Sequence, residues 1–194
     1  MTAKRRMIVA ITGASGACYG VRALEMLRDI DGVETHLIMS SAGLRTAIEE
    51  GVATCADDIR ALADVCYPHK DIGEAVASGS FKSAGMLVAP CSIKTLSAIA
   101  NCYTDDLISR AADVCLKERR RLVLMVRETP LHAGHIALMD TATRSGAVIM
   151  PPVPGFYTRP KTLEDMVSQT VGRALDLFDL SHPSVRRWKE EEAD

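Results

Sequence analysis

The run Met7-Ile-Val-Ala-Ile-Thr12 is continuously apolar and leads directly into Gly13-Ala-Ser-Gly-Ala17. A strand with one wet face alternates apolar and polar residues, so an unbroken run predicts a strand buried on both faces of a parallel sheet. Apolar residues at Tyr19, Leu24, Leu27 and Ile30 then fall close to helical spacing. The opening therefore reads strand, tight small-residue turn, helix.

The same order recurs along the chain. Val33–Met39 reads as a strand and Ser41–Glu50 as a helix. The stretch from Cys55 to Gly79 is less regular, with helical character over Asp57–Val65. Met86–Ala89 predicts a buried strand ending at Pro90, followed by helices around Ile93–Ala100 and Asp105–Glu118. Leu122–Val126 predicts a strand, His135–Arg144 a helix, and Ala147–Met150 a last short strand stopped by Pro151-Pro152. Thr162-Leu-Glu-Asp165 has the capping-box pattern and opens a final helix with an apolar stripe. Alternating elements of this kind imply an α/β fold: one doubly wound, Rossmann-like parallel sheet, in a single domain over 1–194. The charged tail from about 187 is expected to fray, with Trp188 able to dock.

Composition narrows the function classes. The net charge of −2 argues against a nucleic-acid-binding surface, despite basic clusters at Lys4–Arg6 and Lys117–Arg121. The first of these reads as solvated surface. Six scattered cysteines without CxxC spacing fit a reduced, cytoplasmic protein, and no apolar run approaches the ~20 residues a membrane span needs. His132 and His135 have HxxH spacing but no third ligand nearby, so no metal is expected.

In an open parallel sheet, ligands bind beyond the carboxyl ends of the strands, and four polar clusters fall there. Gly13–Ala17 could bring helix-opening amides to a phosphate, or be a simple tight turn. Ser40 reads better as a helix cap than as a ligand group. Ser92 and Thr95, in Pro90-Cys-Ser-Ile-Lys-Thr95, could place two hydroxyls on one ligand, with an N-cap at Ser92 an equal alternative. Cys91 reads as a small buried residue rather than a nucleophile. Arg127-Glu128 pairs a cation suited to an anionic ligand with a proton-transferring carboxylate, although most such pairs lie on the surface. Arg110 and Lys117, seven apart, share a helix face. Tyr157 and Arg173 carry no motif of their own.

Together these segments resemble the UbiX family of flavin prenyltransferases, whose members are also associated with non-oxidative hydroxyarylic acid decarboxylases. The matching pieces are T-G-A-S-G-A from Thr12, P-C-S-I-K-T from Pro90, R-A-A-D-V-C-L-K-E from Arg110, V-R-E-T-P-L from Val126, P-P-V-P-G-F-Y from Pro151 and V-G-R-A-L-D from Val171. Six pieces in one order, across nearly the whole chain, are specific. The resemblance implies an enzyme that joins a dimethylallyl group from dimethylallyl phosphate to N5 and C6 of reduced FMN without a metal. The product, prenylated FMN, would serve a UbiD-type aromatic acid decarboxylase.

By resemblance, Gly13, Ala14, Ser15, Ser40, Ser92, Ile93, Lys94, Thr95 and Arg127 would hold FMN. Lys117, Arg127, Tyr157 and Arg173 would grip the prenyl phosphate, with Lys117 reaching across a subunit interface. Ser15, Glu50, Arg110 and Glu128 would take catalytic positions, Ser15 passing a proton near N5 and Glu128 protonating the phosphate. A homo-oligomer, commonly a dodecamer in relatives, is implied. Relatives usually have H-L-E-N-M where this chain has His135-Ile-Ala-Leu-Met139. Two other readings stand beside this one: an FMN-dependent cysteine decarboxylase and a non-catalytic flavin carrier. The first typically has P-A-S-A-N-T where this chain has P-C-S-I-K-T.

Overall fold

The computed structural model describes residues 4–189. Six parallel strands form one sheet: β1 (Arg5–Ile11), β2 (Val33–Met39), β3 (Val65–Pro68), β4 (Gly85–Cys91), β5 (Arg121–Val126) and β6 (Val148–Ile149). Their spatial order is β3-β2-β1-β4-β5-β6. The helices are α1 (Ala17–Arg28), α2 (Ser41–Glu49), α3 (Ala56–Arg60), α4 (Ile93–Ala100), α5 (Leu107–Lys117), α6 (Ala133–Arg144) and α7 (Leu163–Asp176). This is the expected doubly wound α/β architecture.

The unbroken apolar runs are explained by burial on both faces. Along β1, Met7, Val9 and Ile11 join Leu87 and Met125 in a core covered by Leu24 and Leu27 of α1 and by Val171 and Leu175 of α7. Ile8 and Ala10 point the other way, joining Met86, Val88 and Leu124 under Leu96 of α4 and Ile108, Ala111 and Cys115 of α5. All five residues Met7–Ile11 are at most 2% exposed, so removing this strand's apolar pattern would strip both layers at once.

The chain leaves β1 toward β2 and β3, then returns to β4 on the other side of β1. Neighbouring loops therefore part company at the carboxyl ends of β1 and β4, the place where such sheets form a crevice. Thr12 bridges that point. Its buried hydroxyl donates to the Pro90 carbonyl at 2.7 Å and accepts from the Ser92 amide at 2.8 Å.

Two local expectations need correction. The helical reading of Asp57–Val65 holds only for Ala56–Arg60, because Val65–Pro68 pairs with β2 as the edge strand. β4 does not end at Pro90 but runs to Cys91, with the pairing to β5 shifting between Val88 and Cys91. A proline lacks a ladder donor, and this irregularity in register is where that lack is tolerated. Trp188 docks edge-on to Tyr157, ring centroids 5.5 Å apart, while residues 190–194 of the expected frayed tail lie outside the described residues. Among the described residues, no helix is long and apolar enough to cross a membrane.

Candidate active site

The turn after β1 is built for close approach. A Cβ on Gly13 would lie 2.4 Å from that of Ala42, and Gly16 has φ +97°, where side chains are rarely tolerated. Ala14 is buried, and Ser15 is exposed on the rim. Two of the amides opening α1, those of Gly16 and Ala17, are already engaged within the chain. Glu50, just past the end of α2, accepts from the amides of Gly16 (2.8 Å) and Ala17 (2.9 Å). A carboxylate compensates the positive end of the helix as an anionic ligand would.

Burial opposes the charge of Glu50, but hydrogen bonds from Ser15, Gly16 and Ala17 and the nearby Arg127 outweigh it, holding this carboxyl below its ordinary value. A lowered folded value means stability that is present above the unfolded carboxylate range and lost as pH falls through the folded value. Glu50→Gln is therefore expected to lower stability at pH 7 by about 1 kcal/mol, a figure already reduced for the exposure of this side chain. Thermal melts of both proteins should converge below pH 4; an equal gap at pH 7 and pH 3.5 would refute this role.

Ser40 and Ser92 both cap helices, accepting from the amides of Gly43 (3.0 Å) and Thr95 (3.4 Å). The Ser92 hydroxyl also lies 3.2 Å from that of Thr95, so the two do form one polar pair at the start of α4. Ile93 packs against the core, leaving its backbone as what it offers a ligand. Lys94 is turned toward the start of α5, where it pairs with Asp106 at 2.8 Å and Asp105 at 3.4 Å. Cys91 is fully buried and its thiol is pushed far up by desolvation, so it is no nucleophile.

Arg127 follows β5 at the same edge, anchored by its amide to the Cys91 carbonyl at 3.1 Å. It lines a cavity of about 730 Å³ with Ser15, Gly16, Tyr19, Pro152, Met166 and Val167. Glu128 is exposed and accepts from the Thr129 amide at 3.0 Å. Ser15 and Arg127 thus line one cavity, and Glu50 is bonded to the turn that carries Ser15. Tyr19, one turn into α1, had only an apolar reading in the sequence; its contact with this cavity depends on folding that no local pattern reveals.

Four other candidates stand elsewhere in the chain. Arg110 donates to the Ala77 carbonyl (3.2 Å) and pairs with Asp113 (2.9 Å). Lys117, at the far end of α5, pairs with Glu118 beside Gly79. Arg173 pairs with Asp176, roughly 9 Å along α7 from the cavity-lining Val167. Tyr157 is exposed against Trp188. Both α5 and α7 start at the carboxyl edge and run back, which carries Lys117 and Arg173 away from it.

His132 caps α6 by accepting from the Gly134 amide at 3.0 Å, and its ring lies against that of His135, centroids 3.7 Å apart and tilted by 34°. Among the described residues, no group of three metal-binding side chains is assembled. In His135-Ile-Ala-Leu-Met139, Ala137 is exposed while Leu138 packs on the core.

A parallel sheet with a capped, polar-rimmed cavity at its switch point defines a nucleotide-cofactor type of α/β protein. The Flavoprotein family model matches residues 1–172. The flavin prenyltransferase UbiX of Salmonella typhimurium is 57% identical over 187 residues, covering 95% of this chain and 98% of that protein. The crystal structure of AnUbiX (PadA1) in complex with FMN and dimethylallyl pyrophosphate is 51% identical, covers 97% of this chain and 100% of its own, and superposes with a TM-score of 0.93. A dodecameric FMN-dependent UbiX-like decarboxylase from Escherichia coli O157:H7 is 47% identical over 95% of this chain and 99% of its own, with a TM-score of 0.91. The chain belongs to the Flavoprotein family and, within it, to the UbiX flavin prenyltransferases.

Proposed function

We infer that this protein transfers a dimethylallyl group from dimethylallyl phosphate to reduced FMN, forming bonds at N5 and C6. The observation that carries the reading is the convergence of Ser15 and Arg127 on one cavity, with Glu50 bonded to the turn that carries Ser15, in a chain of this family. The residues present fit a flavin. The cavity offers more apolar than polar wall, a cation stands at its rim, and the Ser92–Thr95 pair and Ser40 open two further helices at the same edge.

Gly13, Ala14, Ser15, Ser40, Ser92, Ile93, Lys94, Thr95 and Arg127 are the proposed FMN-binding set, with Ile93 acting through its backbone. Lys94 is the weakest member, being committed to Asp105 and Asp106. When bound, reduced FMN supplies the electron-rich ring that accepts the prenyl group. The chain's own work is electrostatic and protonic. Breaking the allylic C–O bond leaves charge on the departing phosphate, which Arg127 stabilises with a planar, permanently charged donor set. Glu128 protonates that phosphate. Ser15, hydrogen-bonded to Glu50, relays the proton released near it, and the low folded pKa of Glu50 keeps a carboxylate there to orient the hydroxyl.

Lys117 is proposed to reach the site from a neighbouring copy of a homo-oligomer, a dodecamer in this reading, and Arg110, Tyr157 and Arg173 to complete it. The proposed recipient of the prenylated FMN is a UbiD-type aromatic acid decarboxylase. Anaerobic incubation with reduced FMN and dimethylallyl phosphate, followed by mass spectrometry of the extracted flavin, tests the activity. A gain of one five-carbon prenyl unit is expected. Unmodified FMN, with binding confirmed and a control enzyme active, would overturn it in favour of cysteine decarboxylation or flavin carriage.

A further inference from the structure

At the opposite edge of the sheet, folding gathers basic residues that are scattered in sequence. Lys4, Arg5 and Arg6 open β1, Lys82 precedes β4, and Arg119, Arg120 and Arg121 lead into β5. All seven line one open cavity of about 570 Å³, to which Asp179 contributes the single acid. A chain whose net charge is −2 has concentrated its cations here.

Few of these cations are paired, although the carboxylates of Glu118 and Asp64 lie near Arg120 and Lys4. Arg5 donates to the backbone carbonyls of Phe178 (2.7 Å) and Asp179 (3.2 Å), and Arg120 to those of Phe81 (2.5 Å) and Gly79 (2.6 Å). Carbonyls hold a guanidinium in place without cancelling its charge. Arg6 has a carboxylate partner, Glu34 at 3.1 Å, whereas Lys82, Arg119 and Arg121 form no salt bridge among the described residues. Arg119 moreover has φ +56°, a conformation glycine adopts at less cost, so the turn after α5 carries a cation where a glycine would fit more easily. Like charges this close destabilise a fold unless an anion joins them.

We propose that this basin binds a small anion carrying two or more linked phosphate groups. Arginine forks match phosphate oxygens in pairs. The starts of β1 and β5 are separated by β4, and hence lie about 10 Å apart. One phosphate cannot engage both margins, while a di- or triphosphate chain reaches between arginine and lysine side chains extended from each. Within one chain the site is separate from the cavity at Arg127, the two having no lining residue in common.

The test uses the full-length protein and isothermal titration calorimetry with inorganic tripolyphosphate, pyrophosphate and orthophosphate at low salt. Tripolyphosphate and pyrophosphate are expected to bind and orthophosphate to bind far more weakly. The double variant Lys82→Ala/Arg121→Ala should weaken tripolyphosphate about tenfold or more, with a melting temperature at low salt no lower than wild type. Arg127→Ala should leave tripolyphosphate affinity within about twofold, equivalent to less than 0.5 kcal/mol. The proposal is overturned if wild type does not bind, if Arg127→Ala abolishes binding while the double variant retains it, or if polyglutamate binds and tripolyphosphate does not.

Discussion

Arg127→Ala is expected to lower kcat/KM for prenyl transfer by about two to three orders of magnitude, the usual cost of removing one donor that meets charge as it develops. The effect should fall mainly on kcat. The substrate phosphate already carries charge when it binds, but the charge on its bridging oxygen grows as the C–O bond breaks, and only that increment accelerates the step. Arg127→Lys keeps the charge and loses the planar fork, so it should recover part of the rate and not all of it. The fold should be little affected, since the Arg127 amide, not its side chain, makes the anchoring bond to Cys91. Steady-state kinetics with saturating reduced FMN check this. An Arg127→Ala enzyme within threefold of wild type would remove Arg127 from the chemistry.

The reason so much architecture is legible in this sequence lies in the parallel sheet. Met7–Ile11, Met86–Ala89 and Leu122–Val126 are buried on both faces, so their runs are unbroken and stand out. The edge strand Val65–Pro68 is different. It is four residues long and alternates between partial burial and exposure, which leaves no run to detect. Caps were readable because they are local: Ser40, Ser92 and Thr162 each bond an amide three residues on. The seat of Glu50 was not, because its amide partners lie 33 and 34 residues earlier and only the packing of α2 beside the turn brings them together. The same holds for the two basic clusters, each of which looks like ordinary surface when read alone. Residues such as Lys117 and Arg173 carry family pattern without local meaning, and in one chain their geometry does not explain them.

Gly20→Ala should destabilise the protein by about 2–3 kcal/mol, the cost of overpacking a filled interface. Helix propensity alone predicts the opposite sign, since alanine in place of an interior helical glycine gains about 1 kcal/mol. The local geometry decides. A Cβ at Gly20 would lie 2.3 Å from the Ala89 carbonyl oxygen and 2.6 Å from Cγ1 of Ile11. Ordinary contact begins at 3.4 Å, so α1 would have to move by about 1 Å, and the nearest obstacle is backbone in a central strand. That strand is β4, covered on both sides and unable to yield cheaply. Moving α1 also moves Gly16 and Ser15 away from Glu50 and shifts the wall of the cavity facing Arg127. Weaker flavin binding should therefore accompany the lost stability, by a similar factor at 25 °C and at 10 °C. Urea unfolding monitored by circular dichroism, with flavin titrations on the same preparations, measures both. A Gly20→Ala protein as stable as wild type would mean that α1 does not sit this close to β4, and the placement of the whole rim would need revision.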